Sequence, residues 1–280
     1  MGYEDRLIRG LDQRNPGELP VIVEMYKKAQ EILQEDSIDP ENFVDLYGEA
    51  NVARDVLKVN ELKAKFENDA TKRTAEVLEA IIYKRIELGN WLGPNAETIR
   101  PSEYDDFVNG IDIIVEFNTE DSKKHLALGI DITFGSLTMV KKFDRIKEEI
   151  DMDELAKVKY FEAHGFKGTL TQLPRIVIGV QKDTVVDLAG LWMNNKNTEI
   201  DKHFIKDILL QEIKLQLETF LAYAEKHKKQ NAILSYQRAL RTLNGILTSE
   251  NNENRVRNLA ISEDAVFKAI KEELSTKFIR

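Results

Sequence analysis

Cysteine is absent from this chain. That removes disulfides, zinc–thiolate sites and cysteine nucleophiles, and it fits a reducing compartment. No apolar stretch reaches the length of a membrane span, and residues 1–20 mix both charges without the apolar segment of a secretory leader. The expected location is therefore cytoplasmic, without membrane insertion. The four histidines, His125, His164, His203 and His227, are scattered with no ligand spacing, so neither a histidine-based metal site nor a Ser-His-Asp triad is expected. Neither Gly-x-Gly-x-x-Gly nor a Walker lysine is found, so nucleotide-driven chemistry has no support. The formal net charge of −9 argues against coating nucleic acid by bulk electrostatics and leaves room only for a local basic groove. The most basic region, residues 226–229 with Arg238 and Arg241 at helical spacing, reads first as a solvated face and alternatively as a surface that tracks phosphates.

What the chain does have is a pair of apolar runs, each carrying one aspartate: residues 110–117 (Gly-Ile-Asp-Ile-Ile-Val-Glu-Phe) and residues 126–134 (Leu-Ala-Leu-Gly-Ile-Asp-Ile-Thr-Phe). Both read as strands, and the charged segment 118–124 between them reads as the turn of an antiparallel hairpin. A third apolar run of strand type covers residues 174–180. Helical periodicity is read over 20–34, from Pro40 past Val52, over 61–88, from an N-cap at Ser136 through 150, from 151–153 to about His164-Gly165, and over 199–229, 232–247 and 263–278. The order helix, strand, strand, helix, strand between helical flanks predicts an α/β fold, a sheet with helices packed on it. The expected division is an N-terminal helical extension over 1–60, an α/β core over 61–190 and a C-terminal helical region over 191–280.

Asp112 and Asp131 lie 19 residues apart, on strands that a hairpin would set side by side. A carboxylate among isoleucines is costly to desolvate unless a charge meets it, and two such groups repel unless a cation neutralises them. A divalent metal with hard oxygen ligands, Mg2+ or Mn2+, answers both needs. At about 100° per residue, Glu79 falls among Ala75, Ile82 and Ile86 on the apolar stripe of the preceding helix, whereas Glu76 points further toward solvent. The same arithmetic on the helix after the second run puts Lys142 at the flank of the buried side defined by Met139, Val140, Phe143, Ile146 and Ile150, and Lys141 away from it. Lys142 is thus the candidate cation for transition-state charge or water orientation. Asp106 and Asn109, just before the first aspartate, read as turn residues or as aids to positioning water or substrate. Trp91 and Trp192 read as packing residues.

Taken together, Glu79 followed by Gly89, then Gly110-Ile111-Asp112, then residues 129–133 (Gly-Ile-Asp-Ile-Thr) resemble the three motifs of the PD-(D/E)XK phosphodiesterase superfamily over residues 74–182. That family includes many restriction endonucleases and Holliday junction resolvases. The resemblance implies a restriction-endonuclease-like mixed sheet flanked by helices. It also implies a metal site made by Glu79, Asp112, Asp131 and the main-chain carbonyl of Ile132, and hydrolysis of nucleic acid, DNA ahead of RNA. Thr133 stands where the family usually has lysine, and some members draw that lysine from the following helix, where Lys142 lies. The alternative is an inactive member serving as a nucleic-acid or protein interaction module. For Asp112 and Asp131 the plain structural reading is a salt bridge with Arg85 or Arg175. The helical extensions would shape substrate access or form a homodimer.

Overall fold

The computed structural model describes residues 16–65, 70–119, 122–131, 137–249 and 264–279, with side chains throughout except at 119, 122–131, 137, 138, 248 and 249. In chain order the elements are α1 (Pro20–Glu35), α2 (Glu49–Lys63), α3 (Ala70–Leu88), β1 (Ala96–Ile99), α4 (Glu103–Phe107), β2 (Ile113–Thr119) and β3 (Ser122–Asp131). They continue with α5 (Leu137–Met152), β4 (Ala156–Ala163), β5 (Phe166–Leu173), β6 (Arg175–Gly179), α6 (Lys182–Met193), α7 (Ile205–Lys226), α8 (Gln230–Ser249) and α9 (Ala265–Leu274). The architecture is α/β, and among the described residues no helix is long and apolar enough to cross a membrane.

The main sheet has the order β1-β2-β3-β6. β2 and β3 are antiparallel, with Ile113 opposite Leu128, and the pairing runs on to Thr119 opposite Ser122. The segment expected as a charged turn is thus mostly strand, because the main chain alone makes the ladder and polar side chains do not stop it. β1 is not among the strands read from the sequence, since four residues are too few to show a period, yet it pairs antiparallel with β2 from Ala96–Phe117 to Ile99–Ile114. β6 joins β3 in parallel, ending with Asp131 opposite Gly179, and all five of its residues are buried, as a strand covered on both faces requires.

The open edge of β6 is closed by a helix rather than a strand. Gln216 of α7 donates from Nε2 to the Val177 carbonyl (2.6 Å) and accepts from the Val177 N–H at Oε1 (2.8 Å). One turn earlier, Glu212 Oε2 accepts from the Gly179 N–H (3.2 Å). Both side chains are wholly buried. Burial raises the Glu212 carboxyl well above the usual range, against the opposing pull of its Gly179 hydrogen bond.

β2 serves two cores through its pleat. Ile113, Val115 and Phe117 enter a large cluster with residues of α1, α3, α5 to α9 and β6, while Ile114 packs with Val158, Phe161 and Leu173 of β4 and β5. That second layer corrects an expectation: residues 151–164 do not form a helix beyond Met152. The burial along β4 alternates over Ala156, Lys157, Val158 and Lys159, a two-residue period carried by β-branched and aromatic residues. His164 and Gly165 both have positive φ (49° and 82°) between the paired Ala163 and Phe166, which is a two-residue hairpin turn of type I′. The His-Gly pair that reads as a helix end is a hairpin turn.

Other helix boundaries also shift. Gly48, at φ 81°, separates the turns after Pro40 from α2, and Leu46 is exposed. α1 buries Ile22, Met25, Ala29 and Leu33, and Val23, off that face, is exposed. The pattern expected over 61–88 divides between α2 and α3, and that over 199–229 is interrupted before Ile205. Ser136 lies outside the described residues. Trp91 and Trp192 are buried, in the large core.

Replacing Gln216 with Leu leaves the Val177 N–H and carbonyl unpaired in the core, so urea denaturation should show a loss of roughly 2–4 kcal/mol. Glu212→Gln keeps the acceptor without the titrating group. Because the folded carboxyl holds its proton to higher pH than the unfolded one, wild-type stability should fall as pH rises above about 4.3. The variant should gain on wild type across that range, and parallel pH profiles would contradict the assignment.

Candidate functional site

Four elements meet at Arg100, which follows β1. Its main chain bridges to Ser37 after α1, Ser37 Oγ donates to the Pro101 carbonyl (3.0 Å), and the following proline favours an extended conformation at this residue. Ser102 then caps α4, its Oγ accepting from the Asp105 N–H (3.1 Å). Asp105 is buried and anchors α4 to β4 by accepting from the main-chain N–H groups of Lys159 (2.7 Å) and Tyr160 (3.0 Å). Asn109 Nδ2 donates to the same carboxylate (2.6 Å), which gives Asn109 a structural bond. With α4 so fixed, the neighbouring Asp106 faces Arg100.

The buried Arg100 guanidinium gathers the acids. Its Nη1 donates to Glu79 of α3 and to the main-chain oxygen of Asp112, and its Nη2 donates to Asp106 Oδ2 (3.0 Å). Asp106 and Asp112 hydrogen-bond side chain to side chain. Lys142 of α5 places Nζ 3.7 Å from Asp112 Oδ2, while Lys141 is exposed. The structure therefore brings Glu79, Asp112 and Lys142 together and adds Asp106 and Arg100. Asp131 ends β3 at the parallel register with Gly179, whereas Asp112, expected within a strand, lies one residue before β2, whose ladder with β3 ends at Ile113 opposite Leu128. Ile132 lies outside the described residues. Arg85 instead donates to Asp201 (3.1 Å) and Arg175 pairs with Glu149 (3.0 Å).

Arg100 went unread in the sequence. The available signal was the need itself: buried acids in apolar surroundings require a buried cation, and only the fold says which one arrives. Asp106 was read as a helper because nothing local shows that α4 turns it toward Asp112.

Burial raises the Glu79 carboxyl well above its ordinary range; Arg100 opposes this and the charges of Asp106, Asp112 and Glu76 add to it. Burial likewise pushes Asp106 up to about 7, with Arg100 and Lys142 opposing and Asp112 reinforcing. Asp106 therefore titrates near neutrality beside Asp112. Glu79, Arg100 and Asp106 line a cavity of about 750 Å³ whose rim includes Lys63, Lys72 and Gln30. The donors are hard oxygens, the type that suits Mg2+ or Mn2+, and the Arg100 guanidinium is paired with two of the acids.

No protein-family model, curated protein or solved structure matches this chain.

Because Asp106 in the folded state holds its proton to about 7, against about 3.9 when unfolded, wild-type stability in EDTA should be full below pH 4 and decline toward pH 7. Asp106→Asn, which donates to Asp112 without titrating, should flatten that decline. A slope unchanged in the variant would show that Asp106 does not carry it.

Proposed function

We propose that this chain is a metal-dependent nuclease of the PD-(D/E)XK type, hydrolysing phosphodiester bonds in nucleic acid, DNA ahead of RNA. The observation that carries the reading is the convergence of Glu79, Asp106, Asp112 and Lys142 from α3, α4, the residue before β2 and α5 around Arg100, with Glu79, Asp106 and Arg100 lining one cavity. The order α3, β2, β3, α5, β6 and the mixed sheet β1-β2-β3-β6 support a restriction-endonuclease-like core. Lys142 supports it further, since Thr133 leaves the usual lysine position empty of charge and Lys142 comes within 3.7 Å of Asp112.

In this reading Glu79, Asp112, Asp131 and the Ile132 carbonyl hold Mg2+ or Mn2+. When bound, that ion polarises the phosphodiester and lowers the pKa of a coordinated water. Lys142 orients the attacking water or offsets charge developing on phosphorus-bound oxygens. Asp106 keeps a proton near Asp112 and gives it up as the cation enters. Arg100 holds the carboxylates in position beforehand.

A second reading rests on Arg100. A guanidinium already neutralising Glu79 and Asp106, together with Thr133, is also what an interaction module without hydrolytic activity would have.

Mn2+ calorimetry on wild type, Asp112→Ala and Asp131→Ala, followed by incubation with single-stranded, duplex and branched DNA and with RNA, separates the two. The nuclease reading expects saturable binding, lost in both variants, that tightens as pH rises from about 6 to 7 because protons are displaced. It also expects cleavage that falls roughly 100-fold in Lys142→Ala. Cleavage persisting in Asp112→Ala would mean that other residues do the chemistry; binding without cleavage would select the module.

Arg100→Gln leaves buried carboxylates uncompensated and should cost roughly 3 kcal/mol without metal. Mn2+ should restore part of that loss if the cluster accepts a cation, and no recovery at saturating Mn2+ would count against the metal site.

A further inference from the structure

Away from the Asp112 cluster, the second sheet face holds another set of ligand-type groups. Glu97 of β1 and Glu116 of β2 are direct register partners in the antiparallel ladder. Like charges placed directly opposite destabilise a sheet. Glu116 is also 1% exposed, because the pleat that sends Val115 into the large core sends Glu116 to the face covered by β4 and β5. A buried carboxylate facing a second carboxylate calls for positive charge. The side chain brought to both is His164, from the β4–β5 turn: its Nε2 is 2.9 Å from Glu116 Oε1 and 3.5 Å from Glu97 Oε2. On the other side of Glu116, its register partner on β3 is position 125, also a histidine.

We propose that Glu97, Glu116 and His164 form a divalent-cation site, separate from the carboxylate cluster at Asp112, that takes Zn2+ and clamps the β4–β5 hairpin to the main sheet. The ligand atoms of the three residues lie within 4.8 Å of one another. With bonds of about 2.0–2.2 Å, tetrahedral zinc ligands stand about 3.3–3.6 Å apart, so closing the site asks for shifts of about an ångström. The donor set is one imidazole nitrogen and two carboxylates, which suits Zn2+ and neutralises its charge, whereas the all-oxygen cluster at Asp112 suits Mg2+ or Mn2+. His164 and Glu97 are each about half exposed, at 44% and 49% of their side chains. That leaves a route for the ion and a side open to a water ligand. The type I′ turn holds the imidazole at a fixed point above the sheet, with the two glutamates on strands already paired. Three ligands from two separate sheets would tie together layers otherwise joined by apolar packing.

The test uses the whole chain, stripped with EDTA and titrated with Zn2+ by calorimetry, with Co2+ absorption as a second readout. His164→Asn removes the ligand but suits the left-handed turn position, so the hairpin is retained. Glu116→Gln is the buried counterpart, and Asp112→Asn reports on the other cluster. The expected result is one saturable Zn2+ per chain at this site, intense tetrahedral or five-coordinate Co2+ bands and a raised Tm. His164→Asn should weaken the affinity by more than roughly 100-fold, since losing even an outer partner costs 10–100-fold, and Asp112→Asn should leave it unchanged. Absence of saturable Zn2+ binding in wild type, or binding undiminished in His164→Asn, overturns the proposal. Loss in Asp112→Asn with retention in His164→Asn would assign the ion to the carboxylate cluster and overturn it equally.

Discussion

The buried guanidinium of Arg100 is the interaction on which the candidate site depends. Glu79 comes from α3, Asp106 from α4 and Asp112 from the entry to β2, and Arg100 bonds to all three residues, to the last through its main-chain oxygen. Carboxylates gathered in a poorly solvated place repel one another, and burial alone would keep them protonated. A fixed cation changes that balance: it opposes the effect of burial on Glu79 and Asp106 and gives each acid a direction. The cluster is therefore organised and only partly neutralised.

The second constraint is the pleat of β2. Alternation sends Ile113, Val115 and Phe117 to the large core and Ile114 to the hairpin layer, so one strand fixes the positions of two covering layers. It also explains why polar groups appear on both sides. Asp112 stands where β2 begins and meets α4 and α5, while Glu116 lies along the strand under the hairpin. At the far edge, α7 supplies the missing strand partner through Gln216 and Glu212, leaving β6 covered on its faces and capped along its edge.

Much of the scaffold was legible in the residues. The apolar runs marked β2, β3 and β6 because a covered strand needs bulky apolar residues at nearly every position. The helical stripe of Leu78, Ile81, Ile82 and Ile86 marked α3, and that of Met139, Val140, Phe143, Ile146 and Ile150 marked α5, all of them buried except the half-buried Val140. The same phasing separated Lys142 from Lys141. The misreadings have equally local causes. His164-Gly165 has the composition of a helix end and of a type I′ turn alike, and the choice falls to strands pairing across it. β1 is too short for a period to show, so its pairing with β2, and with it the Glu97–Glu116 opposition, was invisible.

By itself, then, the sequence determined which segments are apolar enough to be strands, which helix faces turn inward and which acids stand among apolar neighbours, because these depend on residue spacing along one element. Only the tertiary structure decided what those acids meet. Arg100 is 21 residues from Glu79, and His164 is 48 from Glu116 and 67 from Glu97; no spacing rule links them. Their meeting follows from strand register and from the cap and turn that aim α4 and the hairpin, since the energy of a buried charge is set by the groups that surround it in space.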